Sequence, residues 1–273
     1  MDTEFSVSFG LNEDEALCGA AAAACFNRID EIETLLSKFN DTSDVAVIGA
    51  LRDGANAVVA PETIDVLVAC AQVCAATAGA YDPTVEARNF SQLVLDVDHF
   101  RVGVRQGPVK LDFGGIGKGY ALDECAKLLR SEQFEMKNWL IDGGTSTIVV
   151  SGSRSPEETG WPLGVGGVWK DRTRLSTVLR LTDGALSGSG FELRGEHVRD
   201  VRRGGAATRW AQSWCRAGNA TVADALSTAA LALEPRELES ACQALEAHIL
   251  VARHQNHFID RFRDPLVWFG GTP

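Results

Sequence analysis

The spacing of hydrophobic and polar positions changes several times along the chain. From Glu4 to Gly10 apolar and polar residues alternate, the two-residue period of a strand. From Glu13 to Phe39 the apolar positions Ala16, Ala20, Ala23, Ile29, Ile32, Leu35 and Leu36 recur at roughly helical spacing, with Asn12 placed to cap that helix. Asn40 to Asp44 reads as a polar turn and Ala57 to Val59 as a short strand. Pro61 suits the first turn of a second helix, which runs to about Ala78 and is stopped by Gly79. Tyr81-Asp82-Pro83-Thr84 is a turn, Leu93 to Val97 and Phe100 to Val104 form a hairpin, and Val109 to Phe113 is a strand. A third, amphipathic helix spans Lys118 to about Glu132, followed by strands at Trp139 to Asp142 and Thr147 to Val150. Glycines break several further strands between Pro162 and Cys215. Helices from Ala220 to about Leu233 and after Pro235 precede strands at Ala247 to Ala252 and Phe258 to Phe262. Helices and strands do not alternate strictly, so the pattern predicts an α+β fold rather than a doubly wound sheet.

Composition narrows the class. The chain has 273 residues, 45% hydrophobic and 23% charged, which suits one large domain or two closely packed subdomains. No run approaches the ~18 apolar residues of a membrane span. The apolar stretch Ala20 to Cys25 is short and follows the acidic Glu13, Asp14 and Glu15, so it does not read as a secretory signal. The expected location is therefore cytoplasmic. A net charge of -11 disfavours nucleic acid, whose binding depends on Lys and Arg neutralising phosphates. Any phosphate site needs local help from N–H groups, a lysine or a metal ion. The seven cysteines include no C-x-x-C pair and sit mostly in apolar, helix-like contexts, so they are expected as buried, reduced thiols.

The segment Leu111-Asp112-Phe113-Gly114-Gly115-Ile116-Gly117-Lys118-Gly119-Tyr120 joins strand to helix through a glycine-rich turn. Such a turn lets a backbone approach a ligand closely, and the helix start behind it offers N–H donors and a positive dipole end. It is not a P-loop: Asp112 stands where the first glycine should be and Gly119 where Ser or Thr should follow the lysine. Nor is it a dinucleotide fingerprint, because Tyr120 replaces the last glycine of G-x-G-x-x-G. By itself the turn reads equally well as a phosphate cradle or as a structural bend.

Two other segments carry candidate chemistry. Asp224 and Thr228 lie four residues apart, on one helical face, among small Ala and Ser residues. A carboxylate and a hydroxyl, completed by a carbonyl and phosphate oxygens, suit Mg2+. The competing reading makes Asp224 a first-turn residue favoured by the helix dipole, with Thr228 packing. On the metal reading, removing Asp224 is expected to abolish metal-dependent activity and leave folding nearly intact. The third segment, Ser187-Gly188-Ser189-Gly190, is followed by His197 to Gly204, in which His197 is either an acid–base group or a solvated surface residue.

These segments occur in an order that resembles the ApbE family of FAD:protein FMN transferases. D-[LF]-G-G-I-A-K-G-Y is similar to Asp112 to Tyr120, with Gly117 for Ala, and D-A-L-S-T-A matches Asp224 to Ala229 throughout. S-T-S-G is similar to Ser187 to Gly190, H-[IV]-[IV]-D-P-x-x-G to His197 to Gly204, L-L-S-x-[FY] to Leu35 to Phe39, and [FY]-D-P-T-V to Tyr81 to Val85. Departures concentrate on the flavin side: Gly49 stands for an Asn, Glu86 for a Gly and Thr145 for an Asp, and the segment from Glu86 to Lys110 is short.

The resemblance implies an ApbE-like, T-fold-related α+β fold of mixed sheets and packed helices. Its two intertwined subdomains would form one domain over residues 1–273. It implies Mg2+ held by Asp224, Thr228 and the Gly117 carbonyl, with Gly115, Gly117, Lys118 and Gly119 facing the pyrophosphate of FAD. Tyr81 and Asp82 would border the flavin, and His197 would lie beside the reacting phosphates as a base. Lys118, Asp224 and His197 would carry the chemistry. FMN would pass from FAD to a Thr or Ser hydroxyl of an acceptor flavoprotein and AMP would leave. The alternatives are an FAD pyrophosphatase and a non-catalytic relative that binds another ligand or partner.

Overall fold

The computed structural model describes residues 3–84, 88–144, 146–168, 174–190, 199–200, 202, 205–207, 209–253 and 266–271. Among these the fold is α+β, with six α-helices and four antiparallel sheets. The largest sheet has seven strands in the order β1 (Ser6–Phe9), β5 (Trp139–Asp142), β6 (Thr147–Ser151), β9 (Asp183–Gly190), β12 (Gln212–Ala217), β13 (His248–Ala252) and β14 (Leu266–Phe269). A smaller sheet orders β2 (Asn56–Val58), β4 (Arg101–Val104) and β3 (Leu93–Asp96). The long hairpin β7 (Trp161–Val168) and β8 (Arg174–Leu181) stands apart from both, as does the short pair β10 (Arg199–Asp200) and β11 (Gly205–Ala206).

Strand alternation gives the large sheet two apolar faces. Trp139, Ile141, Val149, Ala185, Cys215, Ile249 and Val251 point to one side and join the main core. Val150, Leu186 and Leu250 point to the other and pack with Trp161, Leu163, Val165 and Leu181 of the β7–β8 hairpin. The helices lie on the first face. Helix α5 (Ala220–Ala230) packs on β9 and β12, α4 (Gly117–Arg130) on α5, and α1 (Glu15–Leu36) on α4. Helix α3 (Pro61–Ala76) contacts α5 and α6 (Pro235–Leu245), while α2 (Asp44–Ala50) bridges α1 and β2.

Some elements differ from expectation. Helix α1 is capped by Asp14, which accepts from the Ala16 and Leu17 N–H groups, rather than by Asn12. Its buried stripe is Ala21, Cys25, Ile29, Ile32 and Leu36. The alanine-rich first half gave no contrast from which to choose Ala21 over Ala20 or Ala23. Helix α2 follows the polar turn in a stretch to which the residue pattern assigned no element: Ser43 caps it through the Ala46 N–H, and Val45 and Ile48 are buried. Residues 109–113 form no strand; the Asp112 N–H instead donates to the Pro83 carbonyl at 2.7 Å, so the segment is fixed by a loop and not by a ladder. The strand expected at Phe258 to Phe262 lies outside the described residues.

Polar groups tie the helices together. The Arg28 guanidinium on α1 donates to Glu62 on α3 at 2.8 Å and to Glu124 on α4 at 2.6 Å. Burial pushes the Glu124 carboxyl up, but the hydrogen bonds and charges of Arg28 and Lys127 outweigh it and hold the group below its usual range. All seven cysteines are free thiols, five of them buried. No helix among the described residues is long and apolar enough to cross a membrane.

Candidate functional site

The glycine-rich turn is built from its acidic start. One Asp112 carboxylate oxygen accepts the Gly114 N–H at 2.9 Å, and the other pairs with Lys38 at the end of α1 at 2.7 Å. Helix α4 begins at Gly117, and Ile116 at the cap position has no side chain to satisfy the first-turn N–H groups. One of those groups, the Gly119 N–H, is answered by Asp224, whose Oδ2 lies 3.1 Å away.

Asp224 sits on the second turn of α5, 2% exposed. It is not the first-turn dipole residue of the competing reading; the start of α5 is satisfied by Asn219 and by Asp123 of α4. Its Oδ1 accepts from the Thr147 hydroxyl at 3.1 Å and the Ser187 hydroxyl at 3.4 Å. Lys118 Nζ stands 3.6 Å from Oδ2, and its ammonium also donates to the Gly114 carbonyl at 3.3 Å. A buried carboxylate is tolerable only with such compensation. Deleting it would strand several donors, so the expectation that folding survives its loss nearly intact is corrected.

Around Asp224 runs a chain of small hydroxyls that the sequence reading recognised only in part. Thr147 meets Ser187 at 2.9 Å, Ser187 meets Ser227 at 3.3 Å, Ser227 meets Ser189 at 2.9 Å, and Ser189 meets Thr228 at 3.3 Å. Strand alternation explains the grouping. Thr147, Ser187, Ser189 and Ser213 all point to the helix face, and the Ser213 hydroxyl donates to the Ser227 carbonyl at 2.5 Å. The two-residue spacing of Ser187 and Ser189 was the available signal. Thr147 and Ser213 had none, since only the sheet brings them alongside.

Gly115 and Gly119 bracket Gly117 and both touch α5. A Cβ on Gly115 would lie 3.4 Å from Thr228 Oγ1 and 3.6 Å from the Tyr81 ring. A Cβ on Gly119 would lie 2.2 Å from the Ala220 carbonyl oxygen, an impossible approach. At Gly117 an added Cβ would make only an ordinary 3.6 Å contact with Phe113, so alanine also fits there. Tyr81 is wedged behind the turn, its hydroxyl 3.8 Å from Cys70 Sγ. Burial above all, then Cys70 and the nearby Asp224 and Asp112 charges, push its phenol up. Asp82 closes its own turn, accepting from the Thr84 N–H at 2.8 Å and hydroxyl at 2.6 Å.

The expected site residues Gly115, Gly117, Lys118, Gly119, Asp224 and Thr228 therefore lie together, with Tyr81 against them. His197 lies outside the described residues, as do Glu86 and Thr145. The β10–β11 hairpin that follows His197 is anchored by Arg202, which donates to Glu237 at 2.6 Å and to the Ala232 carbonyl at 3.1 Å. Among the described residues no three His, Cys, Asp or Glu side chains cluster as a metal cage. Where the turn meets α5 the oxygens are the Asp224 carboxylate and several hydroxyls, a set that suits a hard cation rather than zinc. Thr228 donates its hydroxyl proton back to the Asp224 carbonyl at 3.2 Å, so its oxygen keeps lone pairs for such a cation. Of the family departures, Gly188 faces away from this site: a Cβ there would lie 2.9 Å from Trp214 on the far side of the sheet. Gly49 in α2 has open space where a side chain would project.

Residues 1–89 and 85–251 match the model of the ApbE family. No curated protein is similar enough in sequence to match. Among solved structures, the flavin transferase ApbE from Vibrio cholerae superposes with a TM-score of 0.81 at 16% identity, covering 98% of this chain and 94% of that one. The apo form of the Pseudomonas stutzeri flavinyl transferase ApbE gives 0.80 at 19% identity over 98% and 94% of the two chains. The ApbE protein from Thermotoga maritima gives 0.72 at 23% identity over 92% and 94%.

Proposed function

The chain belongs to the ApbE family, and from that premise we propose that it is a flavin transferase that moves FMN from FAD onto a Thr or Ser hydroxyl of an acceptor protein, releasing AMP. The observation that carries this reading is the meeting of the glycine-rich turn with α5. The Gly119 N–H reaches Asp224 at 3.1 Å while Thr228 closes over Gly115. A closely approachable backbone, a helix start, an ammonium and a carboxylate flanked by hydroxyls then share one small volume. That is the equipment of a phosphate-transfer site.

Mg2+ fits the donor set. Asp224, Thr228 and the Gly117 carbonyl would hold it, and bound there it would supply positive charge to the oxygens of the pyrophosphate. The remaining work falls to the chain itself. The glycine-rich turn would present backbone to the diphosphate, while Gly119 lets α4 close on α5 beside it. Lys118 offers a second positive charge for the charge that develops on its oxygens. In the reaction, the acceptor oxygen bonds to the FMN phosphorus, the bond from that phosphorus to the bridging oxygen breaks, and AMP departs with the bridge. The proton leaves the acceptor hydroxyl for a base, a role we assign to His197. Tyr81 supports the turn from behind and Asp82 shapes the loop beside it, at the border of the flavin.

The test combines the protein with FAD, Mg2+ and a library of Ser- and Thr-containing peptides. The expected result is flavin fluorescence that survives denaturation, matched by AMP release. EDTA should abolish both, and added Mg2+ or Mn2+ should restore them. AMP formed at the same rate without any acceptor would make the protein a pyrophosphatase. Calorimetry showing no FAD binding with or without Mg2+ would make it a non-catalytic relative.

A further inference from the structure

Asp123 lies on α4 one helical turn beyond Gly119, and it is engaged entirely by another helix. Its carboxylate accepts from the Ala220 N–H at 2.7 Å, the Thr221 N–H at 2.8 Å and the Thr221 hydroxyl at 2.5 Å. Those groups form the first turn of α5, and one turn further along α5 lies Asp224. The crossing of α4 and α5 therefore has two rungs, Asp123 to Ala220 and Thr221, and Gly119 to Asp224. Between them the backbones touch, since the Ala220 carbonyl occupies the space where a Gly119 side chain would be. Asn219 already caps α5 locally, through the Val222 N–H at 2.8 Å. A second acceptor brought from a different helix does more than cap. It fixes where along α4 the start of α5 must sit.

We infer that Asp123 is a positioning residue for the transfer site, holding α5 in register on α4 so that Asp224 meets the Gly119 N–H and Thr228 meets the turn at Gly115. This rests on the reading of the Asp224 cluster as the transfer site, and it adds a residue that touches neither substrate nor metal. The geometry gives the claim a specific signature. A carboxylate that only caps α5 protects the Ala220 and Thr221 amides and nothing else. A carboxylate that sets register also protects the Gly119 amide, through the second rung.

The experiment follows amide exchange and transfer kinetics in Asp123→Ala, Asp123→Asn and Thr221→Val. In Asp123→Ala the Gly119 amide should exchange at least about tenfold faster while sheet amides keep their protection. In the same variant kcat should fall about 100-fold with the KM for FAD within about threefold, the cost of an ångström-scale misplacement. Asp123→Asn keeps one acceptor oxygen and should recover part of both effects. Thr221→Val removes one donor from the first rung and should move both readouts in the same direction by less; it decides the matter if Asp123→Ala does not fold. Acceleration confined to Ala220 and Thr221, with Gly119 exchange and kcat unchanged, would overturn the proposal. If the unmodified protein transfers no flavin, the functional reading fails by itself, and Gly119 exchange alone then decides whether Asp123 sets the register.

Discussion

Replacing Gly119 by alanine adds one methyl group at the tightest point of the α4–α5 crossing. The new Cβ would stand 2.2 Å from the Ala220 carbonyl oxygen, 2.6 Å from its carbon and 2.9 Å from Asp224 Cβ. Carbon and oxygen need about 3.3 Å, so the helices must separate by roughly 1 Å. The two nearest atoms are backbone and the third is a Cβ fixed to it, so no rotamer change relieves the clash. Overpacking of this kind costs about 1–3 kcal/mol. Separation also breaks the Gly119 N–H bond to the Asp224 carboxylate, worth about 1.5–3 kcal/mol for a charged acceptor. Alanine's better helix propensity returns about 1 kcal/mol. The net loss is about 1.5–5 kcal/mol, a large share of the ~5–15 kcal/mol that holds a domain folded. Urea denaturation followed by circular dichroism measures it. Gly117→Ala is the control: its Cβ meets only Phe113 at an ordinary 3.6 Å, and stability should stay level or rise by about 0.4–1 kcal/mol. Equal stability changes at the two positions would refute the reasoning, because the crossing would then not be closed by backbone contact.

Asp224→Ala should lose transfer entirely and also lower stability by about 1–3 kcal/mol, because the Gly119 N–H and the Thr147 hydroxyl lose their acceptor; denaturant midpoints unchanged from the parent would count against it. Glu124 has a carboxyl held below the usual 4.5, so its contribution is present above that pH and drains away as pH falls through the lowered value. Glu124→Gln should therefore flatten the acid side of the stability profile, and an unchanged slope would show that the pair with Arg28 is not coupled to folding. Gly188→Thr, which restores the family's residue, should cost about 1–3 kcal/mol through its clash with Trp214, and pairing it with Trp214→Leu should recover part of that loss in a double-variant cycle. Gly49→Asn projects into open space and should tighten FAD binding measurably by calorimetry; no gain would mean that the flavin does not reach α2.

Helix and strand periods were legible wherever one face is buried and the other wet. Strands β5 and β6 and helices α3 to α5 stand within a few residues of their sequence-based limits, and α6 starts at the expected Pro235. Helix α2 was missed because Asp-Val-Ala-Val-Ile-Gly-Ala has the β-branched content of a strand. It is helical through its Ser43 cap and through Asp44, whose carboxylate accepts from the Ala60 N–H and the Thr63 hydroxyl across 16 and 19 residues. The same reason hid Asp123, whose partners lie 97 and 98 residues ahead. Asp224, Thr228 and the glycine-rich turn could be named from local motifs. That Asp224 would be almost wholly buried among hydroxyls could not, because Thr147 and Ser187 reach it only through a sheet whose strand order no local pattern contains.

The seven-stranded sheet divides the interior into two compartments that share strands but no side chains. The turn, Lys118, Asp224 and Thr228 lie on one side, while Trp214, Leu186 and the β7–β8 hairpin fill the other. Volume can thus be exchanged between neighbours in the hairpin compartment, such as Gly188 and Trp214, without disturbing the carboxylate opposite. Substitutions behind the partition should therefore leave the hydroxyls and carboxylate in front of it where they are.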